Sequence, residues 1–337
     1  MKKFKVRVNL HVHVQHEMSE NSLLSTSIPK TTSKNDTSFF HFIEQEINQT
    51  SAAGQHSTAR NYRTALNSLR KFCRTKDLSF HEFNLRLVSV YEQWLKQRGI
   101  CLNTISCYMR SLRAVYNKAV EQGIANEQQP FRKAYTGVER TAKRGIEPES
   151  LRRLQRLSLK EGTPQFLARD LFFFSLQACG MPFVDMPYLK KTQIREGYLS
   201  YQRHKTGRQI TIKVEPPMMK IIERYQNHNT EYIFPIIHTS EPNVAYRQYR
   251  TGMGYYNRLL KQLAHQCGIS ENLSSYAARH SWASYAYESN VTLPVISKAL
   301  GHATTQTTLI YIRDINNDAL DQANRQIIDM LFYKKHP

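Results

Sequence analysis

Acidic residues are scarce in this chain. Against 47 Lys and Arg stand only 27 Asp and Glu among 337 residues, a formal net charge of +20. That excess favours a polyanionic partner, because each cation brought near a phosphate releases condensed counterions. Cysteine is also sparse: Cys73, Cys101, Cys107, Cys179 and Cys267 are odd in number and contain no C-x-x-C pair. That number and spacing suggest a reducing compartment and no structural zinc site. No run of about 18 apolar residues occurs, so no membrane span is expected. The N-terminus lacks the continuous apolar stretch of a signal peptide. There Phe4, Val6, Val8, Leu10, Val12 and Val14 alternate with Lys5, Arg7, Asn9, His11 and His13. Period two predicts a strand with one polar face, and His11 and His13 read as part of that solvated face rather than as metal ligands. No internal repeat is evident.

The length suits two domains of roughly 100–200 residues each. Residues 15–37 are rich in Ser, Thr, Asn and Lys, with Pro29, so 1–37 reads as a strand followed by a flexible lead-in. From Ser38 the pattern turns helical. Phe39, Phe40, Phe42, Ile43 and Ile47 share one helix face. Ser57 and Thr58 are candidates to cap a second helix, with Tyr62, Ala65, Leu66, Leu69 and Phe72 as its apolar stripe. That helix also carries Arg60, Arg63, Arg70, Lys71 and Arg74. Helices around Val88–Leu95 and from Thr104 to Val120 complete a helical bundle over 38–133, with basic faces. The Pro, Gly and cation-rich residues Gln129-Pro130-Phe131-Arg132-Lys133, Lys143-Arg144-Gly145 and Pro148 mark an interdomain linker, placed at 134–147, and 148–337 reads as a second domain. In it Thr163 and Pro164 open an apolar helix. Tyr198–Arg203 and Gln209–Val214 alternate as strands around the turn His204-Lys205-Thr206-Gly207. Further helices start at Pro216 and span 243–267 and about 315–332, with Gly268 as a stop. The fold class is therefore mainly α with a small β-hairpin or sheet.

One constellation in the second domain carries chemistry: Tyr276-Ala277-Ala278-Arg279-His280, then Leu300-Gly301-His302, then Tyr311 nine residues after His302. An Arg, a His and a Tyr in this order suit attack of a tyrosine on a DNA phosphodiester. The transition state concentrates negative charge on non-bridging oxygens, which fixed cations stabilise; Arg279 and His302 are the candidate donors. Tyr311 is the candidate nucleophile, needing a proton acceptor or a strongly cationic pocket. Lys205, at the tip of the hairpin, is placed to protonate the leaving 5′-oxygen. No cofactor or metal is required, because a phosphotyrosine conserves the energy of the broken bond.

The segment Tyr276–Tyr311 resembles the C-terminal signature of the tyrosine recombinase (phage integrase) family, matching at Arg279, His280, Leu300, Gly301, His302 and Tyr311. Lys205-Thr206-Gly207 resembles the family's catalytic lysine turn, and Gly180–Met186 its first-arginine segment. The Ala-Arg-His-Ser-Trp-Ala stretch at 278–283 is most similar to recombinases of Bacteroidetes mobile elements and phase-variation loci. The resemblance covers about 38–332. It implies a helical core DNA-binding domain followed by an α+β catalytic domain, acting in the bacterial cytoplasm on the nucleoid. It implies double-stranded DNA with inverted-repeat half-sites as substrate, a homotetramer on DNA, a 3′-phosphotyrosine intermediate and a Holliday junction. It also implies that the last helix docks on a neighbouring protomer, although its apolar stripe equally suits its own core. An accessory DNA-bending protein stays open. The short segment before the bundle tilts the expectation toward an invertase or simple recombinase.

Two positions depart from the family pattern. Tyr276 stands where a histidine is usual, and its phenol can still donate a hydrogen bond to phosphate or leaving oxygen. Pro182 stands where the first catalytic arginine is usual and supplies neither charge nor backbone donor. Arg169 is the candidate substitute; alternatively it pairs with an acid on the helix surface. Two competing readings follow: a catalytically impaired DNA-binding protein derived from a recombinase, and a type IB topoisomerase.

Overall fold

The computed structural model describes residues 38–139, 145–225, 230–312, 324–325 and 327–329. The strand and lead-in expected over 1–37 lie outside these residues, as does most of the helix expected over 315–332. The chain divides into two compact units, the first ending before Ala142. Among the described residues no helix is long and apolar enough to cross a membrane.

The first unit holds α1 (Phe39–Ala52), α2 (His56–Cys73), α3 (Leu85–Gln97) and α4 (Leu102–Glu121). Ser38 caps α1 by accepting the His41 N–H at 3.0 Å, and Asn84 caps α3 by accepting from Leu87 at 3.1 Å. The start of α2 differs from expectation. Gln55 is its N-cap, without a side-chain bond, and Ser57 and Thr58 fall inside the first turn. The tight turn decides this, because the Gln55 N–H is already bonded to the Thr50 carbonyl and the Gln55 carbonyl opens the helix. Phe39, stacked on Phe83 at 4.2 Å, centres an aromatic core with Phe80, Tyr116 and Phe131. Each such side chain contributes roughly 1.5–3 kcal/mol on burial, so the opposite helix faces are free to be polar. On α2 they present Arg60, Arg63, Lys71 and Arg74 to solvent. Beyond 133 the chain remains tied to this unit. The Tyr135 N–H donates to Glu92 at 2.9 Å, and Asn103 pairs with both backbone groups of Glu139.

The second unit opens with α5 (Pro148–Arg156) and α6 (Pro164–Gln177), the latter capped by Thr163. A three-stranded antiparallel sheet follows, β1 (Ile194–Arg195), β2 (Tyr198–Gln202) and β3 (Gln209–Lys213), in the order β1-β2-β3. The two-residue β1 is too short to leave a periodic signal in the sequence. The β2–β3 register pairs Tyr201 with Ile210 and Gln202 with Gln209. It closes through Arg203 N–H to the Arg208 carbonyl and Gly207 N–H to the Arg203 carbonyl, each 2.8 Å. Next come α7 (Pro216–Tyr225), α8 (Pro242–Gln266), α9 (Ala277–Glu288), α10 (Leu293–Leu300) and α11 (Thr305–Leu309).

The core gathers Phe172 and Phe174 of α6, Leu199 and Ile210 of the sheet, and Leu260 and Leu263 of α8. On α9, Ala277, Ala278 and Ala283 are fully buried. Small side chains thus let this helix run through the interior, and that is what carries Arg279 inside. The chain enters the unit at Ile146, whose N–H donates to Ser281 of α9 at 2.9 Å and whose carbonyl accepts from Tyr285.

Candidate active site

The site is built around the end of α10. Gly301 takes the left-handed conformation, φ 65°, that terminates the helix. The turn exposes the buried Leu300 carbonyl, at the negative end of the helix, to two guanidinium groups. Arg279 Nη2 donates to it at 2.6 Å and Arg203 Nη1 donates to it as well. Glycine is required at 301 for space too, since a Cβ would lie 2.8 Å from Arg203 Cδ and from Ile210 Cδ1.

Arg279 is 2 % exposed. Its Nη1 donates to the Gly180 carbonyl at 2.9 Å, and Nη2 also lies 3.0 Å from His302 Nε2. Among the described residues its Nε is buried without a partner. Burial and the Arg203 charge press its pKa below the ordinary value, but a guanidinium stays protonated. Arg203 is 5 % exposed, and its Nε donates to Asp185 Oδ2 at 3.1 Å. The other oxygen of Asp185 accepts the His204 N–H at 2.9 Å, so one buried carboxylate holds both the arginine and the start of the turn carrying Lys205.

His302 has its tautomer set by its neighbours. Arg279 can only donate, so Nε2 accepts; Nδ1, 3.0 Å from Thr308 Oγ1, then carries the proton and donates to that hydroxyl. Burial and the charges of Arg279, Arg203 and Lys205 push its pKa down to about 4, which agrees with a neutral ring. With both nitrogens engaged, His302 orients Arg279 in this state and is not poised as a phosphate donor.

The structure brings Tyr311 into the same site. Its ring lies 5.2 Å from the Arg279 guanidinium, stacks on His302 at 5.0 Å and meets His280 at 4.8 Å. Tyr276 stacks beyond at 6.4 Å, and its phenol is pushed above its ordinary value by burial of the hydroxyl and by Tyr311. Lys205 sits exposed at the hairpin tip. Arg279, His302, Tyr276 and Tyr311 thus converge, with Lys205 close enough for its charge to reach His302.

Arg169 does not join them. Its Nη1 donates to the Leu157 carbonyl and its guanidinium lies over the Phe166 ring at 4.9 Å, one helical turn away on α6. Helical periodicity pairs Arg169 with Phe166 and leaves the place beside Arg279 to Arg203, which the motifs alone do not single out. Pro182 is buried in the loop after α6.

The charge balance of the buried site is uneven. Among the described residues two guanidinium groups face one carboxylate, Asp185, and the hydrogen-bond partners of Arg279 are the Gly180 and Leu300 carbonyls and His302, none of them a carboxylate. An uncompensated interior charge costs several kcal/mol even after relaxation. A group bearing one negative charge, the charge of a phosphodiester, would remove that deficit. Among the described residues no three His, Cys, Asp or Glu side chains cluster in a way that could hold a metal ion.

Comparison with known proteins adds an independent line. The phage integrase SAM-like domain matches residues 38–135 and the phage integrase family matches residues 146–317. The tyrosine recombinase XerA of Pyrococcus furiosus is 24 % identical over 225 residues, 65 % of this chain and 72 % of that protein. A lambda integrase dimer bound to a COC′ core site superposes with a TM-score of 0.62 at 16 % identity, over 84 % of this chain and 79 % of that one. A lambda integrase tetramer bound to a Holliday junction gives 0.62 at 15 % identity, over 83 % and 78 %.

Proposed function

The chain belongs to the phage integrase family, and from that premise we propose how its own residues carry out site-specific DNA recombination. One observation carries the assignment of roles: Tyr311 packs on the guanidinium of Arg279 within a buried site whose described residues set two guanidinium groups against one carboxylate. The scissile phosphate takes that place. Arg279, through its unpartnered Nε, and Arg203 hold the non-bridging oxygens. The Tyr311 oxygen bonds to phosphorus and its proton passes to solvent water, while the bond from phosphorus to the 5′-oxygen breaks. Lys205 protonates the departing oxygen. The free 5′-hydroxyl of one strand then attacks the phosphotyrosine of the other, restoring a phosphodiester and releasing Tyr311. Neutral His302 keeps Arg279 aligned throughout.

Lambda integrase is seen as a dimer on a core site and as a tetramer on a Holliday junction. We extend that arrangement to this chain as a homotetramer on paired inverted half-sites. The impaired-enzyme reading loses its motive, because a second arginine does stand beside Arg279. The test is a suicide substrate nicked beside the scissile phosphate. Wild type should accumulate a covalent protein–DNA adduct at the 3′ end, and Tyr311→Phe should form none. An adduct that persists in Tyr311→Phe would remove the nucleophile assignment.

A further inference from the structure

Residues at positions 276, 280 and 284 are spaced four apart on and just before α9, so they lie along one face of the helix. All three touch residue 311. The Tyr276 ring lies nearly parallel to Tyr311, at 20°. The His280 ring is 4.8 Å from it, at 35°. The Ser284 hydroxyl donates to the Tyr311 main-chain carbonyl at 3.3 Å. His280 and Ser284 are buried, and neither is needed for the phosphate contacts or for the leaving group. His302 and Arg279 contact Tyr311 as well, so the nucleophile is gripped both through its ring and through its backbone.

We propose that this stripe on α9 is a docking seat for the nucleophile segment, with His280 as its central positioning residue. The seat holds the Tyr311 ring against Arg279 before the phosphate arrives. Arg279 belongs to the same helix, so the seat and that half of the phosphate clamp are one rigid piece. His280 works by ring packing, and Ser284 by fixing the main chain at 311. In-line attack makes such a seat necessary. Tyr311 follows a short helix of five residues, Thr305–Leu309, and needs anchoring from elsewhere to keep its hydroxyl in line. The inference rests on the recombinase reading above, and the experiment separates the two.

Single-turnover adduct formation on the nicked substrate is measured together with DNA affinity by gel shift and with thermal melting. His280→Ala should slow adduct formation by about 10- to 100-fold, the size expected when a reacting group is misplaced by about 1 Å. DNA affinity should be unchanged. His280→Phe, which keeps a ring in the seat, should recover most of the rate. Ser284→Ala removes a single hydroxyl and should slow the same step with wild-type melting, which keeps the proposal testable if His280→Ala folds poorly. Wild-type rates in both alanine variants would overturn the proposal, as would a His280→Phe variant that melts like wild type yet is as slow as His280→Ala. If Tyr311→Phe still forms adduct, it is the recombinase reading that fails; if Tyr311→Phe is dead and the seat variants are normal, only the seat fails.

Discussion

Arg203 and Arg279 donate to the same acceptor, the carbonyl oxygen of Leu300. Two like charges are thereby held together inside the protein, and among the described residues Asp185 pairs with Arg203 while no carboxylate pairs with Arg279. On the role proposed for the site, a phosphodiester between them offsets the cost of this arrangement, and the pair acts as a preorganised clamp. It also gives the Leu-Gly-His motif a physical meaning. Leu300 supplies the shared acceptor, Gly301 the left-handed turn and the space for Arg203, and His302 the neutral ring that orients Arg279.

The clamp predicts unequal roles for two arginines. Arg203→Ala should slow single-turnover adduct formation by about two to three orders of magnitude, the loss typical of one transition-state donor. Arg203→Lys should rescue little, because a point charge cannot reach Asp185 and the Leu300 carbonyl together. Arg169→Ala should cleave at close to the wild-type rate. If instead Arg169→Ala is the slow variant, the clamp has been placed wrongly.

In the sequence Arg169 looks suitable because it is a cation shortly before the segment where Pro182 stands. A helix has a fixed period, however, and its period sends Arg169 to Phe166 and the Leu157 carbonyl. Arg203 does leave a signal. Leu199 and Tyr201 alternate inward along β2, and Arg203 continues that alternation as a charged residue at a buried position, two before Lys205. The spacing of Arg279, His302 and Tyr311 is legible because each element between them is a short helix with its own punctuation, Pro294 at the start and Gly301 at the end of α10. Nothing local reveals that His302 is an acceptor. That follows from Arg279 Nη2 at 3.0 Å, a tertiary contact between residues 23 apart. The start of α2 escapes a local reading for a related reason, a backbone bond from Gln55 to Thr50 overriding the preference for a Ser or Thr cap.

The neutral His302 makes stability depend on pH. Its folded pKa of about 4 lies below its ordinary 6.5, so between these values the unfolded chain binds more protons than the folded one. Stability from this group is therefore complete above about pH 6.5 and is lost as pH falls toward 4. The share of His302 should reach about 2–3 kcal/mol by pH 4.5. Urea melts at pH 7.5 and 4.5 would measure it: the drop should be smaller in His302→Gln, which has no proton to gain. An equal drop in both proteins would mean that His302 is not held neutral.

Lys205 should matter for chemistry and hardly at all for folding. It is exposed at the turn, and substitutions at such sites usually change stability by no more than about 0.5 kcal/mol. Lys205→Ala should slow cleavage by about 10²- to 10⁴-fold, the range for loss of a general acid. A substrate whose 5′-bridging oxygen is replaced by sulfur leaves without needing a proton. On that substrate Lys205→Ala should cleave at nearly the wild-type rate. A defect of the same size on both substrates would assign Lys205 to binding instead.

Pro182→Arg, which places an arginine where the resemblance of Gly180–Met186 to the first-arginine segment leads one to expect it, should harm this protein. Pro182 is buried between Met181 and Phe183, and its carbonyl accepts the Asp185 N–H at 2.9 Å, which helps hold the carboxylate that serves Arg203. A third guanidinium there would have no acid of its own, since Asp185 is already engaged by Arg203 and by the His204 N–H. Leaving such a charge unpaired inside should destabilise the fold by about 3 kcal/mol or more. Adduct formation should not accelerate, because Arg203 already occupies the second half of the clamp. The decisive combination is Pro182→Arg with Arg203→Ala. If the double variant recovers the rate lost in Arg203→Ala, the two positions address the same phosphate oxygen from different elements; if it does not, the arginine at 203 is tied to its place by Asp185 and the Leu300 carbonyl, and charge alone is not enough.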